Sequence, residues 1–500
     1  MSPETALILS LALPLAGTIL IGLTDKQPNL REAVTLLTAL GLFAVTLTLV
    51  PLIQAGERPE LHLIDVMPGM PLAFSVEPLG MLFALVASGL WIINSLYSIG
   101  YMRGNNEKHQ TRFFMCFPIA IAGALGVAYS ANLLTLFVFY EVLTLSTYPL
   151  VAHKQNDDAK RGARVYLGIL MLTSICLLLP AIIWTNYAAG TMTFAPGGIL
   201  RDTMDVALVP VLLALFMFGI GKAALMPFHR WLPNAMVAPT PVSALLHAVA
   251  VVKAGVFCVL KIGIYVFGID YLAETQATSW LQWVAAFTLV MASVIALSKD
   301  NLKARLAYST ISQLAYVVLG LSLATSAGVM GGALQIPMHA MGKITLFFCA
   351  GSIYVAAHKT EISQLDGLGR VMPITFAAFL IGALSIIGLP PMGGSWAKYY
   401  LMLGAVEADK AILMGVLLVS SLLNIAYLLP IPARGFFMKT PDGWPDEDRV
   451  SGEVNRMTRA GIKEAPLFML VPLSLTALGT IVLFFTADHI TAFLQPVIAP

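Results

Sequence analysis

Charged residues are scarce in this sequence, since 29 Lys and Arg and 27 Asp and Glu make up only 11% of its 500 residues. A soluble domain carries about 25% charged residues. Here 58% of the residues are apolar and the mean hydropathy is +0.83, so polar residues are too few to cover a water-facing globule. The composition predicts an all-α, polytopic membrane protein. The net charge of +2 gives no electrostatic attraction to nucleic acid.

Cysteine is also scarce. The four cysteines, Cys116, Cys176, Cys258 and Cys349, each lie in an apolar run, and no two have the short spacing of a zinc or redox site. We interpret them as inert core thiols. The sequence has neither a phosphate-binding glycine loop after a strand nor a pair of haem ligands, so no cofactor and no metal are expected.

The first 24 residues have no basic segment before their apolar run, which favours a retained first span over a cleaved signal peptide.

Long apolar stretches fill most of the chain. A helix needs about 20 apolar residues to cross the hydrocarbon core of a bilayer. A sliding window finds fourteen such stretches, at residues 3–23, 32–54, 77–98, 113–129, 131–152, 164–188, 206–226, 242–268, 279–297, 306–326, 329–356, 372–390, 395–430 and 465–487. The chain 1–500 is therefore predicted to form a single membrane domain, with a cytoplasmic loop at 433–463 and the last transmembrane helix at 465–487.

The basic residues indicate how the spans are oriented, because Lys and Arg are retained on the cytoplasmic side. The odd-numbered loops hold 21 of the 29 basic residues, whereas the even-numbered loops hold only Arg58, Arg201 and Lys410. A missed or invented span in the middle of the chain would scramble this asymmetry. It therefore supports the count of fourteen spans and predicts that both termini lie on the outer side.

Proline and glycine interrupt two of the apolar stretches. Lys222 precedes four prolines that cannot all belong to one continuous helix, and a second Gly/Pro cluster precedes Lys398. Backbone breaks at membrane depth are tolerated only where they face protein or a wet cavity, as at the ion sites of transporters. The seventh and twelfth spans are therefore predicted to be broken. Their corresponding positions suggest two inverted repeats, 113–268 and 279–430.

Ionisable residues occur inside the spans, where each costs roughly 2.5 to 3.5 kcal/mol even on a lenient insertion scale. They are Glu141, Lys222, His247, Lys253, Lys261, His339, Lys343 and Lys398. Two interpretations of Glu141 remain open. Its carboxyl group is either protonated and hydrogen-bonded to Thr144 and Tyr148, which share its helix face, or ionised and paired with a lysine of a neighbouring helix.

The histidines and lysines have recognisable spacing. Gln335, His339 and Lys343 recur every four residues as a polar stripe, which favours a proton relay over an isolated core histidine. Lys253 lies about 120° round an ideal helix from His247, so the two are not expected to point at the same neighbour. Lys261 lies towards the end of its span, where extension to the membrane surface is the favoured interpretation.

So many buried lysines cannot all stay charged beside a single glutamate, because desolvation and mutual repulsion favour the neutral amine. Some must release protons, and a row of amines and imidazoles conducts protons by successive transfer through water. Glu141 and Lys222 are predicted to act as the switch. Pairing favours charged Lys222, and separation allows Lys222 to release its proton towards Lys253.

These residues resemble, in type and spacing, the antiporter-like subunit family shared by Mrp-type cation/proton antiporters, respiratory complex I and membrane-bound hydrogenases. The matching features are Glu141 in the fifth span, Lys222 in the seventh ahead of PFHRWLPNA, Lys253 at 31 residues further on, His339 with Lys343, and Lys398 in the twelfth span. The resemblance covers essentially the whole chain. It implies that Glu141 and Lys222 are the coupling pair, that Lys253, His339 and Lys343 form a central axis, and that Lys398 lies at the far exit or entry.

In length the chain is most similar to the D-type subunits of Mrp antiporters. The resemblance implies a proton-translocating subunit of a multi-subunit Na⁺/proton antiporter in a bacterial inner membrane, which is an ion transporter and not itself an enzyme. Its implied partners are other antiporter subunits, protons and lipids, while passage of Na⁺ through this chain stays open. The alternatives are a proton-pumping membrane-arm subunit of a complex I-like NADH:quinone oxidoreductase or membrane-bound hydrogenase, and an ion-driven partner in inorganic carbon uptake. A purely structural scaffold would not need the buried lysines.

Overall fold

The computed structural model describes residues 2–439 and 462–498, and most of these residues are helical. Eleven helices of this described part are long and apolar enough to cross a membrane. The interrupted seventh and twelfth spans and the less apolar helix Leu302–Ser322 bring the total to the expected fourteen. The all-α, polytopic membrane fold is therefore confirmed. The proposed repeat halves, 113–268 and 279–430, stay a prediction.

The first part of the chain forms seven helices and one hairpin. They are α1 (Pro3–Leu23), α2 (Pro28–Gln54), β1 (Glu60–Met67), β2 (Met70–Ser75), α3 (Pro78–Gly104), α4 (Gln110–Ala128), α5 (Leu133–Val151), α6 (Asp157–Thr173) and α7 (Leu179–Ala189). Several helices begin where a polar side chain accepts a hydrogen bond from a backbone amide of the first turn, as Asn132 does for α5 and Asn156 for α6. Such caps satisfy amides that have no partner within the helix.

The middle of the chain contains the first broken span and the longest helix. Its helices are α8 (Val209–Gly219), α9 (Trp231–Asn234), α10 (Thr240–Ala244), α11 (Val251–Ile262), α12 (Ile269–Thr275), α13 (Ser279–Ser298), α14 (Leu302–Ser322) and α15 (Ser326–Ala357). The segment Thr240–Phe267 is entirely buried within the protein. It packs against α15, which also contacts α14, α16, α17 and α20 and so lies at the centre of the bundle.

The last part holds the second broken span. Its helices are α16 (Pro373–Ile387), α17 (Gly394–Glu407), α18 (Ala411–Leu428), α19 (Pro430–Phe437), α20 (Leu467–Phe485) and α21 (Ala487–Ile498). Short 3-10 turns occupy Val206–Leu208, Gly221–Ala223, Ala235–Val237, Ile362–Gln364 and Leu368–Arg370, and π-helical turns occupy Ser174–Leu178, Leu245–Val249 and Gly263–Phe267.

Three details of the sequence prediction need correction. The stretch 395–430 is two helices, α17 and α18, because the chain leaves the helix at Ala408 and Asp409 adopts a left-handed conformation with φ of 55°. The predicted loop 433–463 begins too early, since α19 continues to Phe437, and its residues 440–461 lie outside the described part. The hairpin β1–β2 was not predicted, although Pro68 and Gly69 form its turn.

The cysteines differ in exposure. Cys258 and Cys349 are buried, Cys116 is half-buried, and all four are free thiols. Cys176 is exposed, so its interpretation as a core thiol is wrong. It lies in the π-helical turn between α6 and α7, a span of which only about a third is buried within the chain.

Candidate functional site

The first helix break places Lys222 inside the protein. Helix α8 ends at Gly219, Lys222 lies in a single 3-10 turn, and Ala224 has φ of 53°. The backbone groups freed by the break find partners within the chain. The indole Nε1 of Trp231 donates to the carbonyl of Gly221 at 2.9 Å, and the amide of Met226 donates to the hydroxyl of Thr288 at 3.2 Å. These polar groups of the break are therefore satisfied without lipid contact.

Helix α5 holds the side chain of Lys222. Its Nζ donates to the carbonyl oxygen of Tyr140 at 2.8 Å and to the hydroxyl of Thr144 at 2.6 Å. The same Nζ lies 3.0 Å from the centre of the Tyr140 ring, a cation–π contact. Tyr140 and Thr144 are one turn apart on α5, so one face of that helix receives the lysine.

Glu141 is not in contact with Lys222 in this conformation. Both carboxylate oxygens are buried, and neither has a hydrogen-bond partner among the described residues. Consequently neither open interpretation of Glu141 describes this conformation, since Thr144, Tyr148 and the lysine all leave the carboxylate free. Glu141 lies about 100° round α5 from Tyr140, and Lys222 reaches Tyr140 and Thr144 instead of the carboxylate in this conformation.

Gly255 allows the broken segment to approach α11 closely. A Cβ atom at Gly255 would lie 2.4 Å from the carbonyl carbon of Lys222 and 2.5 Å from the amide nitrogen of Ala223. Both are backbone atoms, so no side chain can move to make room. The absence of a side chain here brings the Lys222 backbone against α11, two residues along the chain from Lys253.

Lys253 and His339 meet across two helices. The Nζ of Lys253 on α11 lies 2.7 Å from Nδ1 of His339 on α15, and both side chains are buried. If the lysine donates, Nδ1 is the acceptor and the ring proton is on Nε2. That Nε2 is buried without a partner in the described chain. The pair therefore offers a proton donor, an acceptor and a second nitrogen able to release the proton elsewhere.

His247 also faces α15, but it contacts a different residue from Lys253. Its ring packs 4.6 Å from the ring of Phe347, which is two turns along α15 from His339. The segment between His247 and Lys253 is not an ideal helix. A π-helical turn at Leu245–Val249 and an irregular Ala250 lie between the two residues and change the direction in which each points. Both ring nitrogens of His247 lack partners in the part of the chain that is described.

The polar stripe of α15 faces α11 and α14. The Nε2 of Gln335 donates to Oε1 of Gln313 at 2.8 Å, and Nζ of Lys343 donates to the carbonyl of Leu306 at 3.1 Å. His339 lies between them and contacts Lys253. All of these side chains are buried, so the regular spacing corresponds to a row of polar contacts inside the protein.

The second helix break positions the buried side chain of Lys398. Helix α16 ends at Ile387, whose freed carbonyl accepts a hydrogen bond from Nζ of Lys398 at 2.7 Å. The same Nζ donates to the hydroxyl of Ser421 on α18 at 3.0 Å and lies 5.0 Å from the ring centre of Tyr316 on α14. Each of the two broken spans therefore has a buried lysine at its break or just after it, whereas the sequence placed Lys222 just before its break.

One buried residue pair was not predicted. Lys261 does not extend to the membrane surface, because its side chain is only 1% exposed and its Nζ lies 3.3 Å from Oε1 of Glu77. Glu77 was interpreted as the boundary of a span, although a carboxylate directly before Pro78 is typical of a helix N-cap. That signal locates Glu77 but does not identify its partner.

The arrangement supplies groups that can hold and release protons at both helix breaks and along α11 and α15. Lys222, Lys253, Lys343 and Lys398 hydrogen-bond to neutral groups, and His339 joins α15 to α11 through Lys253. No group of three or more metal-binding side chains occurs in residues 2–439 and 462–498. The lysine and histidine side chains at these positions are nitrogen bases, which can accept and donate protons.

Comparison with known proteins gives the family. Residues 130–424, which include both broken spans, match the family described as NADH:quinone oxidoreductase/Mrp antiporter, transmembrane. The chain belongs to this family. Its members include subunits of complex I-type oxidoreductases and of Mrp antiporters, so the resemblance that the sequence suggested is confirmed.

The curated relatives include both oxidoreductase subunits and antiporter proteins. The chain is 31% identical to the N-type subunit of the NADH-quinone oxidoreductase of Desulforudis audaxviator over 96% of this chain and 95% of that relative. It is 30% identical to a Na(+)/H(+) antiporter protein of Staphylococcus aureus, covering 78% of this chain, and 29% identical to a probable K(+)/H(+) antiporter protein of Rhizobium meliloti, covering 98%. The chain spans about half the length of these two antiporter relatives. Closeness to D-type subunits stays a prediction.

Solved structures show the same fold. A chain of the Mrp complex from Dietzia sp. DQ12-45-1b superposes with a TM-score of 0.86 and 22% identity, over 100% of this chain and 97% of that one. A chain of an archaeal membrane-bound sulfane sulfur reductase superposes with a TM-score of 0.85 and 23% identity, over 99% and 97%. The fold is therefore shared by complexes with different overall activities.

Proposed function

We propose that this chain is the proton-translocating subunit of a multi-subunit monovalent cation (Na⁺)/proton antiporter in a bacterial inner membrane, with both termini on the outer side. The observation that carries the proposal is the hydrogen bond between Lys253 and His339 inside a bundle of apolar helices. Burying an amine and an imidazole inside a membrane protein costs free energy, so such a pair points to a functional site. An imidazole is the side chain best suited to repeated protonation and release near neutral pH.

Protons would move along the buried groups by successive transfers. The ammonium of Lys253 gives a proton to Nδ1 of His339, which leaves a neutral amine and an imidazolium. The imidazolium then releases the Nε2 proton through water towards Lys343, one turn along α15, and returns to its neutral form. Lys222, whose backbone contacts α11 beside Gly255, would recharge Lys253 in the same way.

The switch would be the movement of Lys222 between two positions. In the conformation described here the lysine is bound by Tyr140 and Thr144, while the carboxylate of Glu141 is free. Rotation of the lysine towards Glu141 would create an ion pair that favours its charged form. Return to Tyr140 and Thr144 removes that stabilisation and promotes release of the proton. The sodium path and the coupling to it would involve partner subunits.

A second candidate is a proton-pumping membrane-arm subunit of a complex I-like oxidoreductase or a membrane-bound hydrogenase. The observation that favours it is the match to an N-type oxidoreductase subunit along almost the full length of both chains. The proton path would be the same in both cases. The two candidates differ in what drives the protons, since redox chemistry would belong to partner subunits.

Everted membrane vesicles that contain the complete complex distinguish the two candidates. A pH-sensitive fluorescent dye reports the internal acidity after the vesicles have been acidified by respiration. Added Na⁺ or K⁺ is expected to release protons from vesicles with the wild-type complex but not from vesicles with the Lys253→Met complex. Absence of a response to either cation, together with acidification that NADH drives only through this complex, would overturn the antiporter assignment in favour of the redox pump.

A further inference from the structure

A second buried ionic cluster lies on the same helix as Lys253, near its other end. Lys261 is within 3.3 Å of Oε1 of Glu77, and its Nζ donates to the carbonyl of Ala128 at 3.4 Å. The Oε2 of Glu77 accepts a hydrogen bond from the hydroxyl of Tyr265 at 2.8 Å. We call Glu77, Lys261 and Tyr265 the hairpin-side cluster, because Glu77 closely follows the β1–β2 hairpin.

Local structure fixes each member of the hairpin-side cluster. Glu77 caps α3, where its carboxylate accepts from the amides of Leu79 and Gly80 at 3.1 and 3.2 Å. Lys261 lies in the last turn of α11, and Tyr265 lies in the π-helical turn that follows. Single π-helical turns inside longer helices occur frequently at functional sites. Here that turn carries the hydroxyl that reaches Glu77.

A surface cavity lies beside Tyr265 of the hairpin-side cluster. It has a volume of about 210 Å³, and Tyr265 forms part of its wall. The other lining residues include Arg58, Arg201 and Asp270, which are exposed charged residues. The rest of the lining is apolar, but a surface space of this size with charged side chains in its wall can hold several water molecules. Tyr265 therefore borders a water-accessible space on one side and a buried carboxylate on the other.

Stability alone does not account for the hairpin-side cluster. A buried ion pair is often no more stabilising than apolar residues of the same volume, because both charges must be desolvated. A carboxylate at a helix start also does not need a lysine, as Glu464 demonstrates in the same protein. Its buried carboxylate accepts from the amides of Ile374 and Thr375 and from the Thr375 hydroxyl at the start of α16, and all of these donors are neutral.

We propose that the hairpin-side cluster transfers protons between Lys253 and the water on the hairpin side of the membrane. This proposal rests on the proposed function as a proton carrier, which it extends by an exit or entry path within the first half of the chain. Lys253 and Lys261 are eight residues apart, roughly 12 Å along the axis of α11, so water completes the connection between them.

Each transfer conserves the proton. The ammonium of Lys261 gives its proton to the carboxylate of Glu77, which leaves an amine and a carboxylic acid. The Tyr265 hydroxyl then turns away from Glu77 towards the cavity, the acid passes its proton to the Tyr265 oxygen, and the hydroxyl releases its own proton to water. Glu77 and Tyr265 are then restored, and the amine of Lys261 takes up the next proton from Lys253 through water. The reverse sequence admits protons.

Lys261→Arg separates a proton-carrying role from a structural ion pair. Arginine keeps the charge and can still pair with Glu77, but it does not release its proton. In liposomes with the complete purified complex, we expect the variant to assemble normally and to lose proton flux about tenfold or more. Lys261→His is expected to recover part of the flux with its optimum shifted to lower pH, because an imidazole titrates at lower pH than an amine.

Variants of the other two members provide independent tests. Glu77→Gln and Tyr265→Phe are each expected to lower proton flux at least several-fold, about the range of a lost proton-transfer group. Glu464→Gln is the matched control, since it neutralises a buried carboxylate at the start of a different helix, and its flux should equal that of the wild type. Blue-native gels and thermal melting report assembly and stability for every variant.

The outcomes separate this proposal from the proposed function. Wild-type flux in Lys261→Arg and Tyr265→Phe, measured beside a Lys253→Met complex that has lost its flux, would overturn the path through the hairpin-side cluster and leave the central relay intact. Retained flux in Lys253→Met itself would overturn the proposed function. Equal losses in Glu77→Gln and Glu464→Gln would assign Glu77 a capping role only.

Discussion

Complexes with Glu141→Ala or Lys222→Ala are expected to insert normally into the membrane and to show no cation-driven proton exchange, at least about a hundredfold below the wild type. Lys222 lies at the first break and hydrogen-bonds only to neutral oxygens, so removal of its amine breaks the relay. Removal of Glu141 deletes the buried carboxylate that lies next to the lysine-binding Tyr140 on α5. Dye-quenching in everted vesicles measures the exchange, and Lys410→Ala, in the turn between α17 and α18, is the control.

The hydrogen bond from Lys222 to Thr144 gives a further, smaller expected effect. Thr144→Val removes the hydroxyl that accepts from Lys222 and should therefore reduce exchange only several-fold, because the Tyr140 carbonyl still binds the lysine. Thr147→Val is its matched control on the same helix, since the Thr147 hydroxyl bonds to Tyr166 instead. Wild-type exchange in both Glu141→Ala and Lys222→Ala would refute the switch.

Loss of either partner of the Lys253–His339 hydrogen bond is expected to have an effect of similar size. Lys253→Met and His339→Gln each remove one proton-transfer group, so each should lower proton flux by about two orders of magnitude or more. Because the two side chains act as one unit, the double variant should be no slower than the slower single variant. Flux is measured in liposomes that contain the complete complex.

The non-additivity of this pair is the informative comparison. Residues that share one hydrogen bond show large coupling in a double-mutant cycle, whereas independent residues show simple addition of their free energies. If the losses of Lys253→Met and His339→Gln multiply in the double variant, the two groups do not pass the same proton. That result would contradict the order of transfers from α11 to α15.

Hydropathy alone predicted most of the fold, because each membrane span must be apolar along its length. The turn at Ala408–Lys410 was missed since the apolar residues of the helices on either side dominate a window of about 19 residues. The hairpin β1–β2 was missed for a related reason. β1 is mostly exposed, β2 is mostly half-buried, and neither strand alternates regularly between apolar and polar residues, so only Pro68 and Gly69 signalled a turn.

The sequence located the buried lysines and histidines of the site but not their contacts. A buried lysine in an apolar run is visible in the sequence, as Lys253 and Lys398 were. Its partner is not visible, because His339 lies 86 positions along the chain from Lys253 and only tertiary packing brings the two together. The π-helical turn at Leu245–Val249 had no sequence signature either, and it changed the direction of His247. For the same reason Lys261 was assigned to the membrane surface although Glu77 binds it.

Proton flux through complexes with Lys253→Arg tests the central claim most directly. Arginine can replace lysine if the positive charge only holds α11 against α15. It cannot replace lysine if the side chain must release and take up a proton. The account predicts a fully assembled complex whose flux is about a hundredfold or more below that of the wild type at every pH tested. Flux close to the wild-type value in this variant would show that the buried amine does not carry protons and would contradict the account.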